Sequence, residues 1–266
     1  MPLLAVDIGN SHTILGIVAD GEVSADWRIA TDERKTSDDW AVLLRGLLAG
    51  HLDGPAGPDG LGRIDGIAVC ATVPAVLHEW REMLRRHFPR LAHVVVEPGV
   101  RSGLPILADN PREVGTDRIC NALAAATRYG GPCIVVDFGG TATTFDVVNS
   151  QGAYVGGAIA PGIEISLEAL GRRGAQLREV ELVRPRSVIA KNTVEALQSG
   201  MLFGVAAQVE GMVTRMIEAL GASRSDVRVV ATGYLAPLVV DECRCFTDHD
   251  AWLTLRGLEM IYRRNS

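Results

Sequence analysis

Two short turns carry the residue types that handle phosphate. The first is Asp7-Ile8-Gly9-Asn10-Ser11-His12-Thr13-Ile14, and the second is Asp137-Phe138-Gly139-Gly140-Thr141-Ala142-Thr143-Thr144. A glycine two places after a strand-terminal aspartate permits a turn that points backbone N–H groups at an anion. Asn10, Ser11 and Thr13 add short side-chain donors to the first turn, and Thr141 does so in the second. The aspartates repel phosphate themselves, but a carboxylate can hold a hydrated Mg²⁺ that binds it. Either turn alone reads best as an ordinary hairpin. Two copies at matching places reverse that preference, because opposed turns from two halves of a chain can grip a polyphosphate between them. That arrangement favours ATP.

Gly115-Thr116-Asp117-Arg118 opens an alanine-rich stretch that stops at Gly130. Read as structure it is a good helix start, with Thr116 as N-cap and Asp117 in the first turn. Read as chemistry, Asp117 accepts the proton of an attacking alcohol, and the free N–H groups of the helix start fix substrate oxygens. Arg118 then binds a carboxylate or a transferring phosphoryl group. The four residues alone leave both readings open. Lys191-Asn192-Thr193-Val194-Glu195 likewise reads as a capping box, heading a helix with Val194, Leu197, Met201, Val205, Val209 and Met212 at apolar spacing. Gly200, Gly204 and Gly211 on that helix suit a dimer interface. Ala231-Thr232-Gly233-Tyr234-Leu235-Ala236 reads equally as part of a nucleotide site or as a strand-to-helix turn.

The elements that must position these residues repeat. Leu3 to Ile8, Thr13 to Ala19 and Glu22 to Ile29 form a three-stranded meander, with Asp20-Gly21 as a two-residue hairpin signal. A helix capped by Ser37 follows, then a Gly/Pro-rich surface loop over Gly50 to Gly62, a strand at Ile67 to Ala71, a helix from Pro74 to Phe88 and a strand at His93 to Val96. The meander then returns as Cys133 to Phe138, Thr143 to Val148 and Ala153 to Ala158. Asp7 to Gly21 spans fourteen positions and Asp137 to Gly152 fifteen. The extra residue is assigned to Gly140, as an insertion that bulges and leaves Thr141 facing phosphate. The repeat predicts a duplicated α/β domain, with halves at 1–115 and 116–250 and a C-terminal helix over 251–266 that packs back on the first half.

Composition narrows the partners. The 266 residues are 47% hydrophobic and 22% charged with a net charge of -6, ordinary for a globular protein. The chain has no basic stripe, which argues against nucleic acid, and no apolar run near the ~20 residues that cross a membrane. Five cysteines without a CxxC pair suggest neither disulfides nor a zinc site. Cys243 and Cys245 flank one arginine and read as reduced thiols beside a strand. The chain reads as cytosolic.

Taken together, Asp7-Ile8-Gly9-Asn10-Ser11, Asp109-Asn110-Pro111, Gly115-Thr116-Asp117-Arg118, Asp137-Phe138-Gly139, Gly156-Gly157-Ala158-Ile159-Ala160-Pro161-Gly162, Lys191-Asn192-Thr193 and Ala231-Thr232-Gly233 closely resemble, in order and spacing, the type III pantothenate kinases. The resemblance covers essentially the whole chain. It implies duplicated actin-like (ribonuclease H-like) domains with the nucleotide cleft between them. It also implies ATP-dependent phosphorylation of pantothenate, the first step toward coenzyme A. By that resemblance the Asp7 turn holds ATP, Asp117 is the proton acceptor and Gly115 to Arg118 line the pantothenate site. Asp137 binds a monovalent cation, K⁺ or NH₄⁺, and Thr193 reaches substrate across a homodimer interface. The chain departs from the pattern in three places: Gly140 where a threonine is usual, Ala108 where many members carry an aromatic residue, and Tyr234 where a second glycine is usual. A phosphohydrolase of the same superfamily and a catalytically silent nucleotide-binding homologue are the competing readings.

Overall fold

The computed structural model describes residues 2–49, 64–173 and 180–266; the stretch from Gly50 to Gly62 expected as a loop lies outside them. In chain order the elements are β1 (Leu3–Ile8), β2 (His12–Ala19), β3 (Glu22–Ala30), α1 (Ser37–Leu48), β4 (Gly66–Ala71), α2 (Pro74–His87), β5 (Ala92–Val95), α3 (Thr116–Tyr129), β6 (Cys133–Phe138), β7 (Ala142–Val148), β8 (Tyr154–Pro161), α4 (Ile163–Arg173), α5 (Thr193–Ala219), β9 (Arg228–Thr232), α6 (Ala236–Val239), β10 (Asp248–His249) and α7 (Leu253–Asn265). The first sheet has the order β3-β2-β1-β4-β5 and the second β10-β9-β6-β7-β8. Read from the meander outward, the two orders are the same. In each, the first strand pairs antiparallel with the second and parallel with a later strand.

The strand sequences explain this placement. Central β1 and β6 read LLAVDI and CIVVDF, with one partly exposed residue each, at Asp7 and Asp137. Apolar runs of that kind belong in the middle of a sheet covered on both faces. β3 alternates exposed and half-buried residues along its whole length, as an edge strand with one solvated face does. Asp20 and Gly21 adopt φ values of 53° and 80°, the turn that two-residue hairpins require.

Two compact units result. The first comprises Met1–Gly103, Asp109–Ala124 and Leu253–Ser266, and the second Leu104–Ala108 and Ala125–Trp252. The division passes through α3 rather than ahead of Thr116. The reason is local: a Cβ at Gly257 of α7 would strike the Cys120 backbone, and Thr254 donates a 2.8 Å hydrogen bond to Asn121, so the first turns of α3 are packed on α7. The first unit's core is built from β1, β2 and β4 with Trp40, Trp80, Met83 and Phe88, the two indole rings lying 5.5 Å apart. The second unit's core joins β6, β7 and β9 to the buried stripe Met201, Leu202, Val209, Val213 and Ile217 of α5. That stripe is rotated from the one expected: Val194 is 50% exposed.

Three local expectations are corrected. The N-cap of α1 is Thr36, whose hydroxyl accepts from Asp39 N while the Asp39 carboxylate accepts from Thr36 N; Ser37 is the first helical residue. The first intrahelical bond of α3 runs from Ile119 N to the Gly115 carbonyl at 3.0 Å, so Gly115 occupies the cap and Thr116 does not cap with its hydroxyl. Finally, the second phosphate turn contains no insertion. Ile8 faces Thr13 across the first turn and Phe138 faces Thr143 across the second, so Gly140 takes the place of Asn10 and Thr141 that of Ser11. The additional residue lies at the other end of the hairpin, where Ser150 to Gly152, closed by Asn149 N donating to Ala153 O, replace the two-residue Asp20-Gly21 turn. There the Asn149 side chain accepts from Gln151 N and Ala153 N, both at 3.0 Å.

Candidate active site

The first turn begins where β1 releases Asp7. Gly9 N donates to His12 O at 3.0 Å, and a Cβ on Gly9 would stand 2.9 Å from that oxygen, so only glycine closes the turn without displacement. Thr13 is fully buried and shares a 2.9 Å hydrogen bond with Thr31, which also donates to Gly9 O at 2.8 Å. The turn is thereby tied to the end of β3, with Asn10 exposed and Ser11 and His12 half-buried. Ile14, opposite Asp7 in the ladder, is the last residue of the sequence-derived nucleotide set.

Asp7 also lies level with Cys70 of β4, whose thiol donates to Asp7 Oδ1 at 3.3 Å. A hydrogen bond with Cys120, burial, and the charges of Asp7 and Asp117 all push the Cys70 pKa up, keeping it a neutral donor. One buried thiol is thus within electrostatic reach of both aspartates that the sequence singled out. Cys70 itself was not among the sequence candidates. In sequence it is one apolar-looking residue in the run Gly66 to Ala71, and only the register sets it beside Asp7.

Asp117 occupies the first turn of α3. Its Oδ1 is shielded from solvent and has no hydrogen-bond partner among the described residues, and the same holds for Thr116 Oγ1. Gly115 is what allows this: a Cβ there would stand 2.5 Å from Asp117 Oδ1. Burial raises the Asp117 pKa above the ordinary aspartate range, opposed by the backbone N–H groups of Arg118 and Asp117 and by the Arg118 charge. The approach to α3 is fixed by Asn110, whose side chain accepts from Arg112 N at 3.3 Å and donates to Glu113 at 2.7 Å. Buried polar atoms are nearly always paired. Two orphaned oxygens on adjacent residues at a helix start, one of them on a carboxylate whose pKa burial raises, describe a place where a hydroxyl group fits as the missing partner.

The second turn, at the end of β6, has Asp137 level with Thr232 of β9. Gly233, at φ 90°, is pressed against it: a Cβ would meet the Asp137 carboxylate and the Phe138 backbone. The turn is also docked on the start of α4. Gly162 N donates to Thr141 O at 2.9 Å, Ile165 N donates to Gly140 O at 3.2 Å, and Gly162 has no room for a side chain against the backbone of 140–142. Thr193 lies at the exposed N-terminus of α5, behind the Asn192 cap. Within the first unit, then, Asp7 and Asp117 are gathered around Cys70; the second unit gathers Asp137 and Thr141 at its turn and holds Thr193 apart on α5.

Among the described residues, no group of three or more His, Cys, Asp or Glu side chains is arranged to hold a metal ion, and no helix is long and apolar enough to cross a membrane.

The profile of the type III pantothenate kinase family matches residues 3–215. A type III pantothenate kinase from a Nocardioides species is 74% identical over 266 residues, covering 100% of both chains. Among solved structures, a protein from Campylobacter jejuni described as a Baf family transcriptional activator superposes with a TM-score of 0.59 at 17% identity, covering 98% of each chain. A ROK hexokinase from Thermus thermophilus does so with a TM-score of 0.52 at 12% identity, covering all of both chains. At those identities the structures speak for the fold alone, which is the actin-like fold shared with sugar kinases. With the profile spanning both phosphate turns and the Asp117 helix start, and a relative matching from end to end, the chain belongs to the type III pantothenate kinase family.

Proposed function

We propose that this chain transfers the γ-phosphoryl group of ATP to the hydroxyl of pantothenate, with Asp117 as the proton acceptor. The observation that carries the reading is the pair of orphaned oxygens, Asp117 Oδ1 and Thr116 Oγ1, at the start of α3. A substrate hydroxyl donating to Asp117 Oδ1 satisfies the first of them. As that oxygen attacks the γ-phosphorus and ADP departs, its proton passes to Asp117. The pKa raised by burial suits a base that must take up a proton in the transition state. Arg118, with the free N–H groups of the helix start, would bind the substrate's carboxylate or the phosphoryl group in transit.

The turns 7–14 and 137–141 would receive the nucleotide through backbone N–H groups and the Ser11 and Thr141 hydroxyls; the Thr13 hydroxyl, expected from the sequence as a donor to phosphate, is fully buried and bonded to Thr31, so it braces the turn instead. Asp7 would hold Mg²⁺ through water and Asp137 a K⁺ or NH₄⁺ ion. These hard cations take oxygen ligands, and a carboxylate at each strand end fits them; with no multi-carboxylate cage among the described residues, the remaining ligands would be water and phosphate. When bound, the cations supply charge neutralisation on the phosphates. We place Thr193 against substrate in a homodimer, a reading supported by the exposed apolar Val188, Ile189 and Val194 around it and by Gly200, Gly204 and Gly211, which face open space along α5.

The test is Asp117→Asn. Turnover should fall by roughly 10²–10⁴-fold with the fold intact, since asparagine serves equally well at a helix start. A variant within a few-fold of wild type would remove Asp117 from the mechanism.

A further inference from the structure

The two phosphate turns match in burial at every position except one. From 7 to 14 and from 137 to 144 the burial of successive residues is the same, apart from exposed Asn10 against buried Gly140. What buries Gly140 is a pair of side chains from other elements. A Cβ there would overlap Glu164 Oε2, from the first turn of α4, and the Tyr234 hydroxyl, from the turn after β9. Those two groups are joined: Tyr234 donates to Glu164 Oε2 at 2.6 Å. Gly140 is therefore the floor under a short, charge-assisted hydrogen bond that links α4 to the β9 turn across the second phosphate turn.

We infer that the Tyr234–Glu164 pair is a positioning clasp that does for the second turn what a side chain at position 140 would otherwise do, and that 140 and 234 have exchanged bulk. The phenol proton is committed to the carboxylate, so Tyr234 offers a bound phosphate no donor of its own. Its effect runs through the turn. With Gly140 O held by Ile165 N and Thr141 O by Gly162 N, the turn keeps its shape only while α4 remains in place, and the clasp keeps it there. Tyr234 and Glu164 thus set nucleotide affinity rather than pantothenate affinity. The inference rests on the kinase reading above.

The experiment is calorimetric titration of the full chain with Mg·ADP, beside steady-state kinetics in both substrates. Y234F should weaken nucleotide binding about tenfold, the loss of one charge-assisted hydrogen bond, with the pantothenate KM unchanged. E164A should behave like Y234F, and E164Q, which keeps an acceptor, should lose less. G140S alone should also weaken binding, while G140S combined with Y234G should recover much of the loss, giving strong non-additivity. Should G140S fail to fold, the Y234F and Glu164 variants still decide. Wild-type affinity in Y234F, equal losses in nucleotide and pantothenate binding, or additive losses in the double variant would each overturn the inference. A wild-type protein that binds no nucleotide overturns the kinase reading and the clasp with it; one that binds, matched by Y234F, overturns the clasp alone.

Discussion

Asp117 draws its character from where the chain puts a glycine. With any side chain at 115 the Asp117 carboxylate would have to swing away, out of the shielded position that raises its pKa. The consequence appears in the pH profile. A base works only when deprotonated, so activity should fall as pH drops through the Asp117 pKa, and that acidic limb should lie above the range of an ordinary aspartate. Asp117→Asn should abolish the limb along with most of the rate, and a profile of kcat against pH for both proteins reads this directly. Gly-Thr-Asp-Arg ahead of an alanine-rich stretch was enough to put Asp117 at a helix start, but those four residues left its role open and the family resemblance supplied it. The sequence could not reveal Cys70 or Glu164. Cys70 acts through the β1–β4 register, and Glu164 is one of several acidic residues until α4 is folded against the second turn.

At the level of elements, the strands and most helix limits were legible because they rest on local chemistry. Buried runs mark β1 and β6, Asp20-Gly21 marks a hairpin, and Gly130 at φ 80° ends α3. The location of the extra residue in the second meander was not legible. Counting from aspartate to glycine cannot distinguish a longer phosphate turn from a longer hairpin, and the hydrogen bonding places the extra residue in the turn 150–152. The role of α7 was likewise only half visible: the sequence suggested a helix packing on the first half but not the side chains that make the contact. Its Glu259 is 4% exposed and accepts from both Asp20 N and Gly21 N at 2.8 Å, while Arg256 donates to Gly21 O at 2.7 Å. Glu259→Ala leaves two backbone donors without that acceptor and should destabilise the protein by about 2–4 kcal/mol. Denaturant unfolding checks this; a loss below about 0.5 kcal/mol would mean the hairpin turn is held by other contacts.

For the whole molecule, the repeated sheet order explains why two aspartate turns fall at equivalent strand ends: each β1-like strand is central, and its C-terminal end opens into the turn. The homodimer proposed above has its own consequence. If Thr193 completes a partner's site, mixing Asp117→Asn protein with a Thr193→Ala variant should regenerate activity, since one hybrid site carries neither change. Sedimentation at assay concentration gives the independent reading, and a strict monomer would end that proposal.

The central claim is tested most directly by following ADP release from ATP with Mg²⁺ and K⁺, with and without pantothenate, and weighing the product by mass spectrometry. The account predicts ADP release that depends on pantothenate, with phosphopantothenate formed one for one. ADP released at the same rate without pantothenate would make the protein a hydrolase, and no release under either condition would make it a silent nucleotide-binding homologue; either result contradicts the account.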